Sequence, residues 1–269
     1  VTDLTSSYDE FEYLGFERDG DVLRVTIDRP GDPLNAVDAT LHHELARLFP
    51  LLQRERSARA VLLTGRGRAF SAGGDFAWFP DLQQPGRLED LRLDARQMIW
   101  DLLDVALPIV CAVNGPAVGL GASIALLCDV IVMAESASVA DPHVRVGLVA
   151  GDGGTIAWPL AVGPARAKQY LLTGDAVPAA EAERIGLVNL VVPDADLDQV
   201  ASDLAHKIAS RPPLAVQHTK AAVNNWVKQT ALASFDLATA SEMATFRSDD
   251  HAEALAAIRE KRAPRFTGR

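Results

Sequence analysis

Ala69-Phe70-Ser71-Ala72-Gly73-Gly74-Asp75 and Asn114-Gly115-Pro116-Ala117-Val118-Gly119-Leu120-Gly121-Ala122-Ser123 are two glycine-rich turns of the same design. Each follows an apolar run that reads as a buried strand, residues 60–63 before the first and 109–113 before the second. Each turn then leads into a helix-like segment. Two such turns can aim two free backbone N–H groups at one point. A pair of that kind holds a negatively charged oxygen, the central requirement of thioester and enolate chemistry.

The flanking chain alternates strand and helix. Residues 11–17 and 22–28 alternate apolar and polar side chains around Asp19-Gly20, a hairpin signal. Asp38 reads as the N-cap of a helix carrying Leu41, Leu45, Leu48 and Leu52 at helical spacing. Residues 80–90, with Pro80, Pro85 and Gly86, read as a mobile loop or lid, and a helix is predicted over 91–105. A short helix over 121–127 and a strand over 130–133 follow. This order predicts an α/β fold with parallel strands. After Val192-Pro193 only helices are predicted, over 197–209, 214–228, 232–246 and 251–261. The reading divides the chain into an α/β core, residues 1–195, and a helical C-terminal region, residues 196–269.

Composition narrows the function classes. The chain has 269 residues, enough for one large domain, and 48% of them are hydrophobic. Its 36 acidic residues outweigh 26 Lys and Arg, for a net charge of −10. That argues against a nucleic-acid binder, which needs a clustered basic face. Cys111 and Cys128 sit in apolar segments and read as free thiols of a reducing compartment. No apolar run reaches the roughly 18–20 residues of a membrane span. Val1-Thr2-Asp3-Leu4-Thr5 lacks the basic start of a signal peptide. The expected location is the cytoplasm.

With both turns quoted, the chain resembles the crotonase, or enoyl-CoA hydratase/isomerase, superfamily nearly end to end. The resemblance starts at Val25-Thr26-Ile27-Asp28-Arg29-Pro30 with Leu34-Asn35-Ala36-Val37, and runs through the two turns and Cys128-Asp129. It continues over residues 147–155, Thr173-Gly174 and Gly186-Leu187-Val188, and closes on Pro264-Arg265-Phe266-Thr267-Gly268. It implies a crotonase/ClpP-like spiral of ββα units with a C-terminal helical oligomerisation region, assembled as a trimer or a dimer of trimers. It also implies an acyl-CoA thioester substrate, with coenzyme A entering as part of that substrate and no separate cofactor. By matching position the oxyanion-holding N–H groups belong to Gly74 and Leu120, where many relatives carry glycine at the second. Ala36, Ala72, Asp75, Phe76, Pro116, Pro142 and Gly151 fall at positions that the resemblance places around the substrate, and Arg68 is a candidate partner for a CoA phosphate. Asp75 also reads as an N-cap, and Trp78 and Phe79 as candidate acyl-pocket walls.

A hydratase of this family handles water and proton with two glutamates. Their positions here hold Ser123 and His143. A serine hydroxyl is no general base unaided, whereas an imidazole titrates near neutrality. Asp152, in Ala150-Gly151-Asp152-Gly153-Gly154-Thr155, is the other acid–base candidate, and it reads equally as a helix cap. The nominal activity is therefore hydration of a 2-enoyl-CoA. Isomerisation, decarboxylation or hydrolysis of an acyl-CoA by His143 and Asp152 is the nearest alternative. A silent acyl-CoA binder and a hydrolase of CoA-free β-diketones remain as rivals. His42-His43 is a poor metal site because neighbours on a helix point apart, and no Cys/His/Asp set has zinc spacing, so no metal is expected.

Overall fold

The computed structural model describes residues 5–269, and the polar start at residues 1–4 lies outside them. A helical turn α1 (Thr5–Tyr8) precedes the hairpin β1 (Leu14–Asp19) and β2 (Val22–Ile27), then α2 (Ala39–Arg54) and β3 (Ala60–Gly65). After the first glycine turn come a 3-10 turn (Phe79–Gln83), α3 (Arg87–Asp104), β4 (Ile109–Val113), β5 (Ala117–Val118) and α4 (Leu120–Leu127). Then follow β6 (Val130–Ala134), β7 (Ser138–Ala140), a 3-10 turn (His143–Val146), α5 (Gly154–Thr173), β8 (Val177–Pro178), α6 (Ala179–Arg184) and β9 (Leu190–Val192). The chain ends in α7 (Leu197–Ala209), α8 (Pro213–Leu232), α9 (Phe235–Thr245) and α10 (Asp249–Glu260).

The larger sheet has six strands in the order β1-β2-β3-β4-β6-β9, parallel except for the β1–β2 hairpin. A second sheet of β5, β7 and β8 runs beside it. β4 feeds the large sheet and β5 the small one. β6 and β7 repeat the move, and a helix closes each step, which is the expected spiral of ββα units. β3 and β4 are buried along their whole length apart from the half-buried Gly65, as parallel strands covered on both faces should be. That burial explains why 60–63 and 109–113 read as continuous apolar runs.

Asp38 caps α2 through its Oδ1, which accepts the Leu41 N–H at 2.9 Å, and such a cap contributes about 1 kcal/mol. Leu41, Leu45, Leu48 and Leu52 of that helix are all buried in the main core.

Three readings change. Residues 80–90 are not an open loop: Leu82 and Leu88 are buried, so the segment folds into a 3-10 turn and the first turn of α3. Their two apolar anchors are spaced too widely among polar residues to give a periodic signal. No α-helix follows Asp75, so it caps none. Its Oδ1 accepts the Ala77 N–H at 2.9 Å, and its Oδ2 pairs with Arg29 at 2.9 Å. Finally, α7, assigned from sequence to the helical C-terminal region, packs on the α/β core. Leu197, Ala201, Ala205 and Ala209, one every four residues, are buried in the same core as the large sheet. Cys111 and Cys128 are free, the second only half-buried.

Candidate active site

The two glycine turns meet as the sequence predicts. Ser71 pairs with Ala117 and Val37 with Gly74 in isolated parallel bridges. In the second bridge Val37 N–H donates to Gly73 O at 2.8 Å, and Asp75 N–H donates to Val37 O at 2.9 Å. Those bonds use the groups on either side of Gly74 and leave its own N–H without an acceptor among the described residues. In the second turn Gly119 takes φ 54° and ψ −121°, a conformation costly for any side chain-bearing residue, and thereby starts α4 abruptly. Leu120 is the first residue of that helix, so its N–H has no intrahelical acceptor and carries the positive end of the helix dipole. Leucine at this position keeps the donor, and its side chain packs into the core at 7% exposure.

Gly74 and Leu120 line one cavity of about 60 Å³. Its walls are apolar, with Trp78, Phe79, Leu82, Met243 and Phe246 prominent. His143, Asp152 and Glu242 face the same space.

His143 opens the 3-10 turn that follows β7. Pro142 keeps Asp141 out of the helical region, and the turn brings the Asp141 and His143 side chains together. His143 Nδ1 meets Asp141 Oδ1 at 2.5 Å. Its Nε2 faces Asp152 Oδ2 at 3.5 Å and Glu242 Oε1 at 3.9 Å. Ser123 donates from its hydroxyl to Asp152 Oδ1 at 3.1 Å. Burial by itself pulls the His143 pKa down, but the Asp141 and Asp152 carboxylates, with Glu242 behind them, hold it well above 6.5. Burial raises Asp152 above its ordinary 3.8. Asp141 adds to this, while His143, the Ser123 hydroxyl and the Gly154 N–H oppose it. Burial, followed by repulsion from Asp152, raises Glu242 well above 4.5. The cluster therefore favours the proton-bearing forms of His143 and Glu242 more than water would.

The arrangement can donate a proton from His143 Nε2, accept one at Asp152 Oδ2, and hold an oxyanion between two N–H groups. Ligand atoms of Asp141, His143 and Asp152 also lie within 4.8 Å of one another. Hydrogen bonds already engage His143 Nδ1 with Asp141 and Asp152 Oδ1 with Ser123 in this set.

Of the residues singled out from sequence, Gly74, Leu120, His143 and Asp152 border the cavity, as do the expected pocket walls Trp78 and Phe79, whereas Ala36, Arg68, Ala72, Asp75, Phe76, Pro116, Ser123, Pro142 and Gly151 do not. Ser123 is fully buried behind Asp152. Pro142 sets the turn. Gly151 lets α9 close in: a Cβ there would sit 2.6 Å from Ala238 O and from Glu242 Oε2. Ala36 O accepts from Arg29 Nη1 at 2.7 Å, Ala72 N–H donates to Leu34 O at 2.9 Å, and Pro116 O accepts from Ser71 N–H at 3.2 Å, so all three brace the turns. Asp75 is held by Arg29. Phe76 is 46% exposed, with its ring edge-on to Phe79. Arg68 is exposed and holds the turn through its backbone N–H, which donates to Pro33 O at 2.7 Å.

Glu242 and the orienting role of Asp141 were not read from sequence. The signal for Glu242 was present: it interrupts an apolar helical stripe of Phe235, Ala238, Met243 and Phe246, where a buried acid needs a reason.

Comparison with known proteins identifies the family. The enoyl-CoA hydratase/isomerase family model covers residues 17–269. The probable mitochondrial enoyl-CoA hydratase of Dictyostelium discoideum is 34% identical over 248 residues, 92% of this chain and 88% of that protein. A crystal structure of an enoyl-CoA hydratase/isomerase from Mycobacterium paratuberculosis superposes with a TM-score of 0.87 at 40% identity, covering 91% of this chain and 97% of that one. A β-diketone hydrolase from the cyanobacterium Anabaena superposes with a TM-score of 0.83 at 31% identity, over 89% and 96%. Paired glycine turns, the two-sheet spiral and a match over nearly its whole length converge on one conclusion: this chain is an enzyme of the enoyl-CoA hydratase/isomerase family.

Proposed function

We propose that the protein acts on an acyl-CoA thioester whose enolate is held by the N–H groups of Gly74 and Leu120, its nominal reaction being hydration of a 2-enoyl-CoA. The observation that carries this is the single cavity shared by those two N–H groups and the His143–Asp152–Glu242 cluster. Asp152 Oδ2 takes a proton from water as the water oxygen bonds to C3. The C2–C3 π electrons move onto the thioester oxygen, between the two donors. The enolate then collapses and C2 takes the proton from His143 Nε2. Passage of the proton from Asp152 to His143, whose atoms face each other at 3.5 Å, restores the site. One oxyanion donor is worth about 3 kcal/mol in enzymes that use this device. Coenzyme A enters as part of the substrate. We place the protein in the cytoplasm as a trimer or dimer of trimers, a reading supported by the exposed Leu214, Val223, Trp226 and Leu237 on the C-terminal helices. No helix among the described residues is long and apolar enough to cross a membrane.

These roles require Asp152 ionised and His143 protonated, so kcat/KM should follow a bell in pH. The acid limb lies above the ordinary aspartate value because burial raises Asp152, and the alkaline limb lies well above 6.5 because His143 is raised. A profile that rises monotonically to high pH would reverse the acid and base assignments.

A second reading is favoured by the Asp141–His143 pair together with the likeness to the Anabaena enzyme. In it Asp152 takes a proton from water as the water oxygen attacks a ketone carbonyl, the carbon–carbon bond of a β-diketone breaks, its electron pair leaves as an enolate into the same oxyanion site, and the enolate carbon takes the proton of His143 Nε2. Mass spectrometry of the protein incubated with a panel of 2-enoyl-CoA thioesters, and separately with cyclic β-diketones, decides between them. A thioester product heavier by one water supports hydration. Isomerised, decarboxylated or CoA-released products keep the acyl-CoA reading and remove the hydratase. Ring-opened acids from the diketones alone support the second reading.

A further inference from the structure

His42 has no part in the chemistry above, yet it is buried at 5% exposure and its Nε2 has no hydrogen-bond partner among the described residues. It lies in the first turn of α2, where its backbone N–H is already satisfied by Asp38 O at 2.9 Å. Its ring packs at 47° against Trp78, with centroids 5.6 Å apart. Burial, with a smaller push from His43, lowers its pKa to about 4, so at neutral pH the ring is uncharged and offers one donor and one acceptor nitrogen.

The position of this residue gives it meaning. His42 lines the reactive cavity and also a second cavity of about 340 Å³ beside it. His42, Trp78, Leu82 and Leu91 border both, and so form the partition between them. On the reactive side the lining outside the acid–base cluster is otherwise apolar, while Asp81, Arg87, Asp90 and Asp94 line the far side. A plain hydrocarbon chain would leave the buried nitrogen unpaired, and a ligand oxygen would satisfy it.

We propose that His42 Nε2 is a specificity-determining group that hydrogen-bonds an oxygen on the distal part of the acyl group, so that the preferred substrates are oxo- or hydroxyacyl thioesters rather than simple hydrocarbon ones. The proposal rests on the acyl-CoA reading above. A site that offers a buried polar partner discriminates strongly against the analogue lacking its complement. Oxo groups would take a proton from the ring nitrogen, and hydroxyl groups would give one to it.

The test uses unreactive saturated ligands, so that binding is read apart from turnover. Calorimetry compares heptanoyl-CoA with 4-, 5- and 6-oxoheptanoyl-CoA and their hydroxy counterparts on the wild-type protein, His42→Phe and His42→Gln. The wild type is expected to prefer at least one oxygenated ligand by about tenfold or more. His42→Phe should abolish that preference, and His42→Gln, which keeps a hydrogen-bonding side chain, should retain part of it. Binding of all ligands without preference, or a preference that survives His42→Phe, overturns the assignment and leaves the acyl-CoA reading standing. A His42-dependent preference, with no turnover of the matching 2-enoyl thioesters, keeps the assignment and removes the proposed reaction. Failure of every CoA ester to bind the wild type overturns both.

Discussion

Asp152→Asn and His143→Gln are each expected to lower kcat by about 10²–10⁴-fold while leaving CoA-ester affinity within a few-fold of wild type. Asparagine keeps the oxygen that accepts the Ser123 hydroxyl, so the local packing survives, but it takes no proton from water. Glutamine at 143 keeps a polar side chain beside Asp141, yet supplies no proton to carbon. Both residues sit in one proton network, with His143 Nε2 and Asp152 Oδ2 3.5 Å apart. The double variant should therefore lose little more than the worse single one. Steady-state kinetics of the four proteins on whichever substrate the mass-spectrometric panel identifies checks this, with CD melting as the control. A purely structural role for Asp152 would show instead as lost affinity and a lowered Tm, with kcat retained. Full rate in Asp152→Asn removes it from the mechanism.

Gly115→Ala should produce the largest loss of stability among single substitutions at the glycine turns. A Cβ there would lie 2.2 Å from Arg68 O, 2.9 Å from Arg68 C and 3.0 Å from Ala69 Cα. All three are backbone atoms, so no side chain can swing aside. Gly115 also lies outside the left-handed region, so alanine brings no conformational strain and the experiment isolates packing. The clash pushes apart the arm carrying Gly74 and the arm carrying Leu120. Overpacking of this kind costs about 3 kcal/mol or more, which is a Tm lower by roughly 6–12 °C for a chain of this size. Calorimetric melting measures it. An unchanged Tm would mean that the two arms separate freely, and the proposed oxyanion site would then lack the rigidity that preorganised donors need.

Much of this was readable along the chain because the signals are local. Residues 60–63 and 109–113 had to be central strands, because short apolar runs ended by glycine leave few other structures. Asp38 announced its helix through the spacing of four leucines. His143 stood out through the family resemblance, which places it at the position of a glutamate, and Asp152 because it is a carboxylate set among glycines in a loop that the resemblance places at the pocket. The segment from 80 to 90 was misread because a 3-10 turn anchored by Leu82 and Leu88 has no repeating pattern to detect.

Partnership is the part that required the folded chain. Sequence placed Asp152 and His143 near each other in order, but whether one orients the other depends on distances set by packing. In the structure the ring nitrogen Nδ1 turns to Asp141, two residues away across Pro142, and leaves Nε2 for Asp152. Glu242 arrives from α9, in the helical region read as an oligomerisation element, through a gap that Gly151 keeps open. Periodicity and turn chemistry act between residues a few positions apart, so the linear order of residues suffices to establish strands, helices and the two N–H-bearing turns. Proton affinity and cavity shape arise from groups brought together over long sequence separations, where burial and facing charges shift them, and no local pattern encodes that meeting.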